Sequence, residues 1–435
     1  MLIARPLLIE VDRILGEAPG PLPVASVDID LDPLDLVRSG NEVFGWAGFY
    51  AAPDGRSIGA LGTAAVFVAG GGGRLASLDA SIADLPAGSH LLAGFGFDEG
   101  GPSGVDWEGF PSAAAVLPEV TIVRSQGRSR LTVALRPGSD GRMLLGLMSA
   151  LRVPGAVPVE REVDHTVESR PVPDDWRDLV GEAVASIGAG FFEKVVLART
   201  VLVHAPQRLV AFDLVAQLRD RYPQCRVFGW QQGGVTFVGA SPELLVAREG
   251  DRFRLGPLAG SAGRGTDAEE DRRLGDALLA SAKDRLEHSI VIDDVVRRLD
   301  HLADSIDFPT EPQLQRHATV QHLATPVTGT TERRILELAE ALHPTAAVAG
   351  SPRTEALAFI AKQEGIDRGW YGGGIGWLDP AGDGEFALGL RCALVRGDHA
   401  TIYAGNGIVD GSIPEEELTE TRLKLRPVLD LLTGR

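Results

Sequence analysis

A handful of side chains in this 435-residue sequence have the type and setting to do chemistry. Lys194 lies in FEKVVLART, a run whose alternation is otherwise filled by Val, Leu and Ala. It reads either as a strand-end lysine snorkelling to water or as a partly desolvated lysine able to take a proton from water. Glu243 follows a Ser-Pro turn in GASPELLVA, so it is a solvated cap or a proton donor that a rigid loop presents beside a cavity. A lysine and a glutamate on neighbouring elements would give a base and an acid on opposite sides of one substrate. Glu287 sits beside the stripe Leu274, Leu278, Ala282 and Leu286, as a boundary ion-pair partner or a ligand for a hard cation. Glu417 and Glu420 lie three apart in EEELTETRLKL and share a helix face, an arrangement that surface helices also show. Magnesium commonly takes only one or two protein carboxylates and completes its shell with water and substrate oxygens, so two glutamates suffice chemically.

A basic counterpart comes from the run between Leu342 and Arg391, rich in small residues and glycine, which lets a small anion lie against backbone. Read as one strand, Phe386–Val395 places Phe386, Leu388, Leu390, Cys392 and Leu394 on a core face. Ala387, Gly389, Arg391 and Ala393 fall on the other. An arginine among such small neighbours leaves a groove where a carboxylate can meet the guanidinium. Lys424, one turn beyond Glu420, puts a second cation on that helix face.

The elements that position these groups follow from periodicity. Residues 1–165 read as short strands joined by Gly-rich turns, including GWAGFYAA, LGTAAVFVAG and HLLAGFGFDEG. Gly70–Gly73 resembles a phosphate loop but lacks the Lys-Ser/Thr ending and a following helix start, so it reads as a turn. Residues 166–435 begin with a helix opened by Pro173-Asp174-Asp175 and closed at Gly188 or Gly190. A β-branched strand through Lys194 follows, then a helix over Ala211–Tyr222 and a hairpin turned at Gly233-Gly234. One long helix is expected from Asp267 to about Leu302, with further helices over Glu332–Leu342, Arg353–Glu364 and Pro414–Leu432. The strand through Arg391 pairs with Ala400–Gly405. The pattern implies an α/β or α+β layered fold without repeats or linkers.

Composition narrows the partners. A formal net charge of −18 argues against nucleic acid, and any anion site must be locally positive against that field. Two cysteines, Cys225 and Cys392, make neither a disulfide framework nor a structural zinc site, and suit a reducing cytoplasm. MLIARPLLIEVDRILG is too short in apolar run for a secretory signal, and no stretch is apolar enough to span a bilayer. A soluble, cytosolic protein is expected.

Ten segments occur in the order and spacing of one known family: FEKVVLAR, GASPELL, PLAGSAGRG, KDRLEHS, HLATPVTG, LHPTAAVAG, YGGGIGW, LRCA, YAGNGIV and ETRLK. GWAGFY, GFGFD and FPSAAAVLP extend the likeness over nearly the whole chain. The sequence resembles the chorismate-utilising enzymes, and within them the isochorismate synthases. That resemblance implies one large domain of two stacked antiparallel β-sheets flanked by helices, with residues 1–165 its sheet-rich part and residues 166–435 its chorismate-binding part. It implies Lys194 as the base activating water, Glu243 as the acid protonating the leaving hydroxyl, and Glu287 and Glu420 as ligands of Mg2+. Arg391 and Lys424 would hold substrate carboxylates, with backbone N–H groups at Gly260 and Gly407, while His322, Ala347, Tyr371, Leu390 and Tyr403 would shape the wall. It further implies a monomer without an amidotransferase subunit, acting on chorismate with no nucleic-acid or membrane partner, on a menaquinone, siderophore or salicylate route.

Subfamily rests on few positions. Ala259 stands where relatives making aminodeoxychorismate typically carry lysine, and relatives making anthranilate lack a lysine at position 194. Salicylate synthases keep that lysine but usually lack His343-Pro344-Thr345. Salicylate synthesis, with pyruvate elimination after isochorismate formation, is the alternative, followed by a non-catalytic chorismate-binding protein. Two departures from the family pattern stand out: Ala346 for the commoner proline, and Asn406 for the commoner alanine in GAGIV.

Overall fold

The β-branched run around Lys194 becomes the strand Lys194–His204, buried over most of its length. In this computed structural model, which describes residues 2–17, 22–157 and 165–434, that strand pairs antiparallel with His399–Ile408 along its length from Val195 to His204. Both belong to a twelve-stranded sheet. A nine-stranded sheet contains Leu244–Glu249, Gly374–Leu378 and Gly384–Leu388, and a small third sheet is built from Leu258–Gly263, Val320–Ala324 and Gln313–Arg316. Each large sheet takes strands from both sides of residue 165. Ala47–Ala51 pairs with Arg226–Gln232, and Leu91–Phe95 with Gly374–Leu378. Tyr50, Trp230 and Phe237 of one sheet share an apolar cluster with Ile375, Trp377 and Ala387 of the other. The stacked antiparallel sheets expected from the resemblance are present. No helix among the described residues is long and apolar enough to cross a membrane.

Several local expectations are corrected. The first 165 residues are not only strands, for Arg5–Glu17, Pro33–Gly40, Arg74–Ile82 and Gly141–Ala150 are helices. A helix does start after Gly73, which is in the left-handed region (φ 73°) and offers no capping side chain, so no start signal precedes it. The Arg74 guanidinium is consumed by Asp98, Ser112 and Gly96, leaving that turn without a free cation.

The long helix expected over 267–302 is two, Ala268–Ala280 and Ala282–Leu299. Ser281 is extended (φ −66°, ψ 116°), and its side chain accepts from the Asp284 N–H, capping the second helix. The Ser-x-x-Asp pattern of residues 281–284 was the sequence signal for that break. The break resets the helical phase. Leu286, expected toward the core, is 46% exposed, and the buried face runs through His288, Val291, Ile292, Val295 and Leu299 instead.

The strand expected over Phe386–Val395 is also two, and they lie in different sheets. Gly384–Leu388 belongs to the nine-stranded sheet and Cys392–Arg396 to the twelve-stranded one. Arg391, in the bend between them, has φ 48°, so the strand-face reading of its neighbourhood fails.

On one flank, Lys194–His204 has an incomplete neighbour. Gly350–Ser351 pairs only with Lys194 and Val195, and Thr166–Arg170 begins at Thr200. A buried ion pair fills the gap. Glu364 accepts from the Ala198 N–H (2.8 Å) and Arg368 donates to the Val196 carbonyl (2.7 Å), while Arg368 Nε binds Glu364 at 2.6 Å. Both side chains are almost wholly buried. Removing one partner of such a pair strands the other's charge, at about 3–5 kcal/mol. Glu364→Ala is therefore expected to lower the denaturation midpoint by that equivalent, and a midpoint within error of wild type would show that the pair does not complete the sheet.

Candidate active site

Two crossovers run side by side between the large sheets. Ser241-Pro242-Glu243 leads from Val235–Ser241 in the twelve-stranded sheet to Leu244–Glu249 in the nine-stranded one. Gly389-Leu390-Arg391 returns in the opposite sense. They are joined by Ala240 N–H to Arg391 O (3.1 Å) and Leu388 N–H to Glu243 O (3.2 Å). The cleft beside them holds about 600 Å³ of unfilled space, mouth included, with Glu243, Gly260, Glu287, His322, Arg391 and Lys424 among its lining. A roomier cleft of about 1730 Å³ around Arg56, Arg254 and Trp377 holds none of these groups.

Lys194 is fully buried, which removes the snorkelling reading. Its ammonium lies 3.1 Å from Glu287 Oε1, yet makes no hydrogen bond of good geometry to any described residue, so donor capacity is left over. Burial works to raise the Glu287 carboxyl, but Lys194, Lys424 and Lys283 outweigh it and hold the group below its ordinary value. Glu287 Oε2 also accepts from the Gly260 N–H (3.1 Å). Gly407, opposite Val196 on the neighbouring strand, makes room for this pair. A Cβ there would lie 2.0 Å from Glu287 Oε1 and 2.6 Å from Lys194 Cε.

Glu243 is buried, and burial pushes its carboxyl up to about 7 against the opposing pull of the Leu258 N–H, Lys194, Arg391 and Lys424. A carboxyl poised there can be a proton donor at neutral pH, as catalysis by a general acid requires.

Arg391 Nη2 lies 3.2 Å from His322 Nε2, and Ser261 Oγ lies 2.9 Å from His322 Nδ1. A guanidinium only donates, so Nε2 must accept and Nδ1 carries the proton toward Ser261. Burial, then the charges of Arg391 and Lys424, hold His322 well below its ordinary pKa and keep it neutral.

A third wall is acidic and comes from two helices. Glu417 is buried and binds Lys283, with Asn406 Nδ2 donating to its other oxygen (3.0 Å). Burial, followed by the charge of Glu420, raises the Glu417 carboxyl, and Asp284 is raised by burial with Glu287 and Glu420 contributing. These mutually repelling carboxylates suit a divalent cation. Among the described residues no three His, Cys, Asp or Glu side chains close on one point. The pair that the resemblance implies, Glu287 and Glu420, would leave a cation to complete its shell with water and substrate oxygens, a donor set that fits magnesium.

The structure thus gathers Glu243, Gly260, Glu287, His322, Ala347, Tyr371, Leu390, Arg391, Gly407 and Lys424 around one cleft. Lys194 reaches it through Glu287, and Glu420 adjoins through its ion pair with Lys424 (2.7 Å). Tyr403 is not among the lining residues. It stacks on Tyr371 with centroids 5.3 Å apart and accepts from Trp107 Nε1 (3.0 Å). Sequence reasoning missed Lys283, Ser261 and Arg368 at this site. Glu364 and Arg368 are four apart, but the helix ends before them and Gly365 (φ 71°) lies between, so no helical spacing signalled the pair.

A family model described as chorismate binding enzyme matches residues 25–433. The salicylate biosynthesis isochorismate synthase of Pseudomonas aeruginosa is 36% identical, over 81% of this chain and 76% of its own length. The isochorismate synthase MenF of Bacillus subtilis is 35% identical, over 80% of this chain and 75% of its own. Among solved structures, the menaquinone-specific isochorismate synthase MenF of Escherichia coli superposes with a TM-score of 0.85 at 26% identity, covering 98% of this chain and 99% of that one. An anthranilate synthase component I from Streptococcus pneumoniae shares the fold with a TM-score of 0.70.

The tight seat at Gly407 gives a test of the site geometry. Gly407→Ala is expected to force Glu287 and Lys194 apart and to destabilise by about 1–3 kcal/mol, the usual cost of overpacking. Thermal unfolding measures it, and wild-type stability would mean that the two side chains yield freely.

Proposed function

We infer that this chain, which belongs to the chorismate-binding enzyme family, is an isochorismate synthase, converting chorismate reversibly to isochorismate. The observation that carries the reading is the buried Glu243, its carboxyl pushed up to about 7, lining the cleft that the buried Lys194 reaches through Glu287. The two named relatives, both isochorismate synthases, support it.

In this reading Lys194 is the base that takes a proton from water as the water oxygen bonds to the ring carbon beside the carboxylate. The ring double bonds shift, and the hydroxyl opposite that carboxylate leaves with a proton from Glu243. One water enters and one departs, so the reaction is an isomerisation that runs in both directions. Bond rearrangement is modest, and catalysis comes mainly from positioning and proton transfer. Arg391, oriented by His322, offers its guanidinium to a substrate carboxylate. Glu287 and Glu420 would hold magnesium, which would supply positive charge to offset the acidic wall and the anionic substrate.

Purified protein with chorismate and magnesium should form isochorismate, detected with a coupled isochorismatase. No chorismate consumption would sink the reading, and salicylate with pyruvate as products would favour the salicylate synthase alternative. Lys194→Gln and Glu243→Gln are each expected to lower turnover by about two orders of magnitude or more with the fold intact. The acid form of Glu243 is present below its raised pKa of about 7 and lost above it. Activity is thus expected to decline as pH rises through that value, and the absence of such a limb would remove Glu243 from the acid role.

Glu420→Ala is expected to abolish activity and to raise the magnesium concentration needed for chorismate binding. Metal and substrate should each strengthen the other's binding, as linkage requires. Equal chorismate affinities with and without magnesium would leave no reason to place the ion there.

A further inference from the structure

An ammonium has three N–H donors and no acceptor. Lys424 Nζ spends all three on protein: Glu420 Oε1 at 2.7 Å, the Gly405 carbonyl at 3.0 Å and Asn406 Oδ1 at 3.0 Å. The last of these depends on the departure from alanine at position 406. Asn406 is 1% exposed, and its Nδ2 is itself anchored to the Glu417 carbonyl (2.7 Å) and to Glu417 Oε2 (3.0 Å). One amide thus ties the cleft-lining lysine to a buried carboxylate that Lys283 already holds.

We propose that Asn406 is a positioning residue that fixes Lys424 in the cleft wall for the substrate. With Gly405 it grips two of the three N–H donors from the wall side. The donor directed at Glu420 is then the only one that can be exchanged for a substrate carboxylate. With alanine at 406, Gly405 alone would oppose the pull of Glu420, and the ammonium would follow that side chain instead of staying in register with Arg391. The mild acceptor matters here. An amide oxygen holds the ammonium without cancelling its charge, which a carboxylate would do.

The consequence for substrate rests on the proposed function, so the test has one arm that needs no chorismate. Asn406→Ala, Lys424→Ala and the double variant form a double-mutant cycle. In the substrate-free arm, unfolding midpoints should be non-additive: Asn406→Ala destabilises the Lys424→Ala background less than it destabilises wild type, the part that remains being its bonds to Glu417. Additive midpoints would overturn the tie whatever the enzyme turns over.

In the kinetic arm, Asn406→Ala should raise the chorismate KM by roughly tenfold, about the worth of a hydrogen bond to a charged group. Its kcat should stay within about twofold, because no proton-transfer group moves. In the Lys424→Ala background the same substitution should leave KM unchanged. An equal KM increase in both backgrounds, or a fall in kcat alone, would overturn the positioning role. Failure of the wild type to consume chorismate would instead sink the proposed function and leave the unfolding cycle to decide the tie.

Discussion

A buried ammonium sets the terms for the rest of this site. Moving a charge such as that of Lys194 out of water costs several kcal/mol unless an opposite charge and hydrogen bonds offset it. Glu287 supplies the charge at 3.1 Å but not a well-aligned hydrogen bond. The pair is held by its surroundings as much as by its own attraction. Gly407 leaves the space, the Gly260 N–H takes the second Glu287 oxygen, and the capped helix start at Ser281 aims Glu287 inward. Relocating any of these would strand the lysine without its carboxylate.

The sheets exist in a form that serves this pair. Two of the short connections between the stacked layers fall at the cleft, and each carries a cleft-lining side chain at its turn, Glu243 on one and Arg391 on the other. Arg391 adopts a left-handed backbone (φ 48°), which costs energy in a residue with a Cβ and is held by the bonds on either side of the bend. Loops on a rigid scaffold are where binding groups concentrate, and here the scaffold is two sheets at once. The same economy explains Glu364 and Arg368, whose side chains take the place of the absent neighbouring strand beside Val196 and Ala198.

Electrostatics divides the molecule from its site. The chain carries a net charge of −18, yet Lys194, Lys283, Arg391 and Lys424 converge at the cleft. Lys194, Lys424 and Lys283 hold the Glu287 carboxyl below its ordinary value, while burial keeps the Glu243 proton available near neutrality. Two carboxyls in one cleft are thus driven to different protonation by their surroundings, the arrangement that separates an acid from a charge-bearing ligand. An anionic substrate meets local positive charge despite the unfavourable overall field.

The sequence alone determined the chemical inventory. Ordered motifs from FEKVVLAR to ETRLK identified the family, the layered fold, and most of the residues that line the cleft, because a backbone that must approach a ligand and a side chain that must move a proton tolerate few alternatives. Local periodicity also placed the helix over Pro173–Gly188 and the terminal helix Pro414–Thr433 nearly to the residue. Tertiary structure decided what period-counting cannot see. Phe386–Val395 reads as one alternating strand, but its two halves serve different sheets, a choice made by partners far away in sequence. The helical pattern across Ser281 reads as continuous, although the extended backbone of that serine ends one helix and its side chain caps the next. Whether Lys194 reaches water or lies buried, and whether Lys424 has a donor to spare, depend on Glu287, Glu420, Gly405 and Asn406. Those residues meet only when helices and strands separated by tens to hundreds of positions pack together, and charge burial and donor count are properties of that packing.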